Sequence, residues 1–199
     1  MQKIKIYEII SLLFSAPLFA TYLHLYLLLC ISQYSEGLFG NFFLLFHGTI
    51  FLLILPIAPI LYATKKGETD IYVSNKNMRP KFFIYAILSY FIGALICYIL
   101  EYNLAMAFIG CYFTVTLSIA ILSFKTKVSV HAAGISGPVT FMVFFFGTPW
   151  MMLYLLVVLV GIARIKTKAH SAVQVALGSI DALLVTYITL YLLKIASFI

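Results

Sequence analysis

The residues of this chain that could carry out chemistry are two histidines, each of which follows a basic loop and opens an apolar segment. Five residues separate Arg164 from His170, and Gln174 lies one helical turn after that histidine. His131 follows another basic loop in the same way. Imidazole can act as a nucleophile or as a general acid, and guanidinium groups bind phosphate oxygens through paired hydrogen bonds. These residue types favour chemistry on a phosphate.

A third basic loop supplies further candidates for binding an anion. Lys76 and Arg79 lie in this loop, immediately before an apolar segment, and Ser129 lies two positions before the histidine of the second loop. Lysine offers a point charge, and the first amides of a helix add a favourable dipole end. The alternative is that each loop is an ordinary basic loop at the membrane surface, with long side chains reaching for water. Both histidines lie at helix starts, which favours the anion site.

The elements that must position these residues are predicted to be membrane-spanning helices. The chain has 199 residues, of which 64% are hydrophobic and 10% are charged, and its mean hydropathy is +1.10. A soluble domain carries about 25% charged residues, and runs of about 20 apolar residues are long enough to cross a bilayer. We predict an all-α, polytopic transmembrane bundle with six to seven spans, forming a single domain over 1–199. The spans are predicted at 8–32, with a kink at Pro17, and at 42–63, 82–100, 104–123, 131–147, 150–163 and 170–196.

The alternation of seven spans brings the three basic loops, 64–81, 124–130 and 164–169, to one face of the membrane. All of the lysines and arginines except Lys194 fall on that face or in the N-terminal segment beside it. The positive-inside rule then predicts that this face is cytoplasmic. The three cysteines lie in apolar segments without paired spacing, so the pattern predicts neither a disulfide framework nor a metal site.

The loops resemble, in their order, the three signature segments of the type 2 phosphatidic acid phosphatase (PAP2) superfamily. Those segments read Lys-x6-Arg-Pro, Pro-Ser-Gly-His and Ser-Arg-x5-His-x3-Asp. Arg79-Pro80 matches the end of the first, and Ser129 and His131 match the second. Arg164 and His170 match the third with its spacing. The run at 131–138 is similar to a PAP2-like subgroup common in archaea and bacteria, which implies the plasma membrane of a prokaryote. The resemblance covers 64–196, whereas 1–63 hold two generic spans.

Several positions depart from the family pattern. Tyr72 stands where the first segment has lysine, although Lys76 is near enough to supply the charge, and Ala163 replaces the serine of the third segment. Gln174 replaces the aspartate that orients the histidine in the family. An amide can accept a hydrogen bond from the ring, but it cannot stabilise an imidazolium as a carboxylate does. Asp70, on the same face, is the candidate for a substitute acid.

The resemblance implies a metal-independent lipid phosphatase that works through a phosphohistidine. His170 would be the nucleophile, and His131 would protonate the leaving group. A cradle of basic and hydroxyl groups would bind the phosphate, with Arg164 serving both catalysis and binding. Its members would be Lys76, Arg79, Ser129 and Arg164. No cofactor and no nucleic-acid partner is implied.

Three functions remain open on these residues. The first is hydrolysis of a lipid phosphate or diphosphate, either a polyprenyl diphosphate or a glycerolipid phosphate such as phosphatidic acid or phosphatidylglycerol phosphate. The second is a non-catalytic lipid-phosphate binding or transport protein that retains the anion site. The third is an intramembrane prenyltransferase, which is disfavoured because that chemistry needs several aspartates and Asp70 is the one aspartate outside the spans. The sequence leaves the oligomeric state open.

Polar residues inside the predicted spans have structural interpretations. Asp181 lies deep in the last span, where we predict a hydrogen bond to another span. His24 and His47 lie in the first two spans without basic neighbours, and we predict that both make hydrogen bonds within the bundle.

Overall fold

The fold was taken from a computed structural model, which describes residues 2–31, 34 and 37–199. This part of the chain is helical and contains no strand, which confirms the all-α prediction. The predicted turn at 33–37 falls largely outside the described residues. The nine α-helices of the described part are α1 Gln2–Leu13, α2 Ala16–Cys30, α3 Gly37–Gly48, α4 Leu55–Lys65, α5 Arg79–Ile99, α6 Asn103–Lys125, α7 Val130–Phe146, α8 Tyr154–Lys166 and α9 Ala172–Ile195. Shorter elements are a π-helix at Thr49–Ile54 and 3₁₀ turns at Lys76–Met78 and Thr148–Leu153.

Within the described ranges, five helices are long and apolar enough to cross a membrane, or six if the bent pair α1–α2 counts as one span. The 29-residue span Gly37–Lys65 joins α3, the π-helix and α4. The span predicted at 131–147 corresponds to α7, an apolar helix of 17 residues. These features make the protein a polytopic helical bundle of the kind found in membranes.

The first predicted span is broken, and the break lies before the predicted kink. Helices Ile6–Leu13 and Ala16–Cys30 meet at 52°. Pro17 lies in the first turn of α2. A proline is tolerated there because the first amides of a helix have no intrahelical partner. The chain therefore starts a new helix at the proline instead of bending around it.

Helix α7 lies at the centre of the bundle, where it packs against α2, α6, α8 and α9. Its residues from Ala132 to Met142 are all buried. Small residues allow this close packing: a Cβ added to Gly134 would clash with the Cβ of Ala16 and would meet its Cα at 2.8 Å. A Cβ added to Gly178 would meet the carbonyl oxygen of Ser129 at 2.6 Å. These contacts hold the starts of α2 and α7 together and bring α9 against the start of α7.

The polar residues inside the spans make the predicted hydrogen bonds. The Ser118 hydroxyl donates to Asp181 Oδ1 at 2.7 Å, which joins α6 to α9. His24 contacts the Tyr34 hydroxyl at 2.6 Å and the carbonyl oxygen of Leu44 at 2.8 Å. The ring of His47 lies 3.8 Å from the Cys97 sulfur. The contact of His24 with Leu44 joins α2 to α3, and the contact of His47 with Cys97 joins α3 to α5.

A substitution at Gly134 tests the close packing of α7 on α2. We expect Gly134→Ala to lower the free energy of unfolding by about 1–3 kcal/mol, because the new methyl group meets backbone that cannot turn away. Gly110→Ala is the matched control, since a Cβ at that helical glycine meets nothing within 4 Å. It should raise the free energy of unfolding by about 0.5–1 kcal/mol. Unfolding in mixed detergent, followed by circular dichroism, measures both. Equal stability of the two variants would contradict the packing described.

Candidate functional site

Four of the predicted site residues line one cavity. Arg79 is the first residue of α5, His131 lies in the first turn of α7, and Arg164 lies in the last turn of α8. His170 lies in the short connection from α8 to α9. All four border a cavity of about 300 Å³. The fold thus brings together the residues that the three basic loops supply.

The rest of the cavity is apolar and runs between the helices away from the basic end. Its walls include Leu18 of α2, Ile57 of α4, Phe83 of α5, Phe108 of α6 and Phe141 of α7. A cavity with one cationic end and hydrocarbon walls matches a ligand with a charged head and an apolar tail.

Arg79 is buried and held by backbone carbonyl groups. It is 7% exposed, its Nε donates to the carbonyl of Val73 at 3.1 Å, and its Nη1 donates to the carbonyl of Val128 at 3.3 Å. Val73 has a φ of +47°, a left-handed conformation that is strained for a β-branched residue. Such strain is concentrated at binding sites. The hydrogen bond to the Val73 carbonyl therefore joins the guanidinium of Arg79 to the loop before α5, at a residue whose backbone is strained.

Arg164 is buried between α1 and the loop before α5. It is 4% exposed, and its Nη1 donates to the hydroxyl of Ser11 at 2.7 Å. The ring of Tyr72 lies over its guanidinium carbon, 5.1 Å from ring centre to carbon, which is a cation–π arrangement. The Nε of Arg164 is buried and has no hydrogen-bond partner among the described residues. That atom is available to a ligand.

Neither guanidinium has a carboxylate partner in the described part of the chain. The one ion pair found there joins Lys81 to Glu68 at 3.8 Å. Buried charges in proteins are normally paired, because an isolated charge in a medium of low dielectric is costly. The carboxylate of Asp70 attracts both guanidinium groups only from beyond ion-pair distance. Two buried cations without a carboxylate in contact, both bordering one cavity, favour an anion as the ligand of the site.

His170 is oriented by the amide of Gln174. Its Nδ1 lies 3.2 Å from Gln174 Oε1, which also accepts from the Ser171 amide at 3.2 Å. An amide oxygen only accepts, so Nδ1 carries the proton and Nε2 keeps its lone pair. Burial, with the positive charges of Arg164, Arg79 and Lys127, lowers the pKa of His170 to about 4. The ring is therefore a neutral base at physiological pH.

Ser129 is the N-cap of α7, two positions before His131. Its hydroxyl accepts a hydrogen bond from the Ala132 amide at 3.4 Å, and its own amide donates to the carbonyl of Gln174 at 3.2 Å. Ser129 is completely buried. The geometry gives it the role of a helix cap that links α7 to α9. Its role as a phosphate ligand stays a prediction.

Asp70 is exposed, and its carboxylate accepts hydrogen bonds within its own loop. Its two carboxylate oxygens accept from the amide and the hydroxyl of Ser74 at 2.7 and 2.8 Å. Desolvation acts to raise the pKa of Asp70, but these hydrogen bonds outweigh it and lower the pKa below the ordinary value. Gln174, not Asp70, makes the hydrogen bond to His170. The backbone of Lys76 lies in a 3₁₀ turn just before α5, and its side chain lies outside the described part.

Three residues join the site that the sequence did not assign to it. Ser11 holds Arg164 across 153 positions of the chain, so no local pattern could indicate it. The sequence marked Tyr72 only as a departure from a motif. Its ring packs against the guanidinium of Arg164, and its centre lies 6.2 Å from the ring centre of His131. Burial lowers the pKa of Lys127, and the charges of Arg79 and Arg164 lower it further. The feature of the sequence that could have indicated Lys127 is its place in a basic loop.

Comparisons with other proteins do not identify the chain. Models of protein families, curated proteins and solved structures give no match to it. Among the described residues, no group of three or more His, Cys, Asp or Glu side chains could hold a metal ion. The PAP2 resemblance stays a prediction.

The amide at position 174 generates a prediction about the titration of His170. Gln174→Glu keeps the reach to both hydrogen-bond donors and adds a negative charge, so the pKa of His170 should rise above its wild-type value of about 4. Nitrogen-15 NMR of labelled histidine in detergent measures it, with His170→Asn used for assignment. Gln174→Leu is the control, because it removes the acceptor without adding charge and should not raise the pKa. An unchanged titration in the Glu variant would contradict the contact.

Proposed function

We propose that this protein is a membrane phosphatase that hydrolyses a lipid phosphate or diphosphate through a phosphohistidine. The observation that carries the proposal is the pair of buried guanidinium groups, Arg79 and Arg164, which lack carboxylate partners among the described residues and border an apolar cavity. A phosphate would be their counterion, and the lipid tail would lie among the apolar walls. Polyprenyl diphosphates and glycerolipid phosphates both fit this description.

The proposed reaction has two steps. In the first, Nε2 of His170 attacks phosphorus, an N–P bond forms, and the bond from phosphorus to the leaving oxygen breaks. The protonated imidazole of His131 gives its proton to that oxygen, which leaves as an alcohol or as a lipid monophosphate, and the ring becomes neutral. In the second, water attacks phosphorus and gives a proton to the neutral imidazole of His131, the N–P bond to His170 breaks, and inorganic phosphate is released. Arg79 and Arg164 neutralise the charge on the remaining phosphate oxygens in both steps.

We propose further that the protein works in the plasma membrane of a prokaryote with its basic face in the cytoplasm. The support is the concentration of lysine and arginine in the loops that meet at the cavity. A catalytic face in the cytoplasm fits lipid biosynthesis better than the recycling of a carrier lipid on the outer face.

A second function is a lipid-phosphate binding or transport protein without catalysis. The amide of Gln174 in place of a carboxylate favours it, because an amide orients His170 but does not stabilise the imidazolium. Binding of lipid phosphates without any phosphate release would identify this second function.

Replacement of the nucleophile tests the phosphatase directly. His170→Ala should lower phosphate release from lipid phosphates and diphosphates by about 10³-fold or more, because no covalent intermediate can form. Lys166→Ala, at an exposed cation in the last turn of α8, is the matched control and should retain activity. Both are assayed in detergent micelles with a panel of lipids, with and without a chelator. Phosphate release by the His170→Ala variant at the wild-type rate would refute the mechanism.

The Gln174→Glu variant tests the part played by the orienting group. A carboxylate there would stabilise the imidazolium, and we expect kcat to rise by about tenfold or more. Because the carboxylate raises the pKa of His170, protonation should inactivate the variant at higher pH than the wild type. The acidic limb of kcat/KM against pH should therefore move upward. A higher rate without this displacement would mean that the new carboxylate acts elsewhere.

A further inference from the structure

The break between α1 and α2 is part of the cavity that holds the four predicted site residues. Ser15, Ala16, Pro17 and Leu18 line this cavity together with Arg164. Segment 1–63 offered no chemical motif, so nothing in the sequence connected it with the site. The fold brings the start of a broken membrane helix into the same space as the guanidinium groups.

The start of α2 has the properties of an anion site. In the first turn of α2, Ala16 and Leu18 carry amides without an intrahelical partner, whereas Pro17 has no amide N–H, and the dipole of the 15-residue helix makes this end positive. Ser15 precedes the helix, but its hydroxyl makes no capping hydrogen bond. Broken helices within membranes direct such ends at anionic groups of their ligands.

A second observation at the same place points to a ligand. Ser11 lies one helical turn before the break and is 1% exposed, and it receives the hydrogen bond from Nη1 of Arg164 at 2.7 Å. The Nε of Arg164 is buried without a partner among the residues described. Ser11 thus fixes the guanidinium of Arg164, which lines the same cavity as the start of α2. The Nε donor of that guanidinium has no partner among the described residues.

We propose that the α1–α2 break forms a second anion subsite, which binds a further phosphate of the lipid head group beside the one held by Arg79 and Arg164. The inference rests on the proposed function, because the ligand is taken to be a lipid phosphate. The amides at the start of α2 and the Ser15 hydroxyl bind the oxygens of the second group. Ser11 is the positioning residue for Arg164. The subsite gives the protein a preference for lipid diphosphates over monophosphates with the same tail.

Substitutions at Ser15 separate the subsite from the fold. Aspartate and asparagine are both good N-cap residues, so each variant should preserve or strengthen α2. Ser15→Asp occupies the free amides with a negative charge, and we expect it to weaken binding of a lipid diphosphate by about tenfold. Binding of the monophosphate with the same tail should change much less. Ser15→Asn is the matched neutral control and should weaken diphosphate binding less than Ser15→Asp.

Substitutions at Ser11 test the positioning of Arg164. Ser11→Ala removes the acceptor for a charged donor and should weaken binding of both lipids by about tenfold. Ser11→Thr retains the hydroxyl and should restore most of the affinity. A purely structural role for Ser11 would lower thermal stability without rescue of binding by threonine.

Binding is measured in nanodiscs with polyprenyl monophosphate and diphosphate of equal tail length, independently of phosphate release. A ratio of the two affinities that Ser15→Asp leaves unchanged would overturn the subsite, even if phosphate release is intact. Selective loss of diphosphate binding in a protein that releases no phosphate would support the subsite and overturn the phosphatase. Failure of both lipids to bind the wild-type protein would overturn both proposals.

Discussion

The structure depends on the burial of two guanidinium groups at the edge of an apolar bundle. Removing a cation from water costs several kcal/mol, so the fold must supply acceptors around it. A helix in a membrane uses its own carbonyl groups, and free acceptors occur only where the chain leaves helical structure. Arg79 finds free carbonyl acceptors in Val73 and Val128, both of which lie in loops, whereas Arg164 uses the side-chain hydroxyl of Ser11 within α1. For Arg79, the need for acceptors is met by two loops that meet at its guanidinium.

The close packing of α7 and α9 sets the relative positions of the two histidines. Gly178 lets α9 approach the carbonyl of Ser129, and the Ser129 amide bonds to the carbonyl of Gln174. The side chain of Gln174 in turn orients His170. Because these contacts form one connected chain, a displacement of either helix start would alter the distance between His170 and His131. The phosphoryl transfer that we propose would require pre-organisation of this kind.

Apolar run length predicted the long helices well. The spans predicted at 82–100, 104–123 and 170–196 correspond to helices Arg79–Ile99, Asn103–Lys125 and Ala172–Ile195. Continuous hydrophobicity over such a length leaves a membrane helix as the one structure that satisfies its backbone. The span predicted at 8–32 corresponds to a pair of helices bent by 52°, with the break just before Pro17. A proline either kinks a helix or starts one, and the sequence alone does not decide between the two.

The sequence by itself determined the all-α membrane fold and the residues able to do chemistry, His131, His170, Arg79 and Arg164. It could do so because hydrophobic length, charge and residue type are local properties of the chain. Only the tertiary structure decided what surrounds these residues. The hydroxyl that holds Arg164 comes from α1, and the tyrosine that covers it comes from the loop before α5. Such contacts join residues far apart in the chain, and no local periodicity encodes them. The lack of carboxylates beside both arginines, among the residues described, likewise became visible only once the helices were packed.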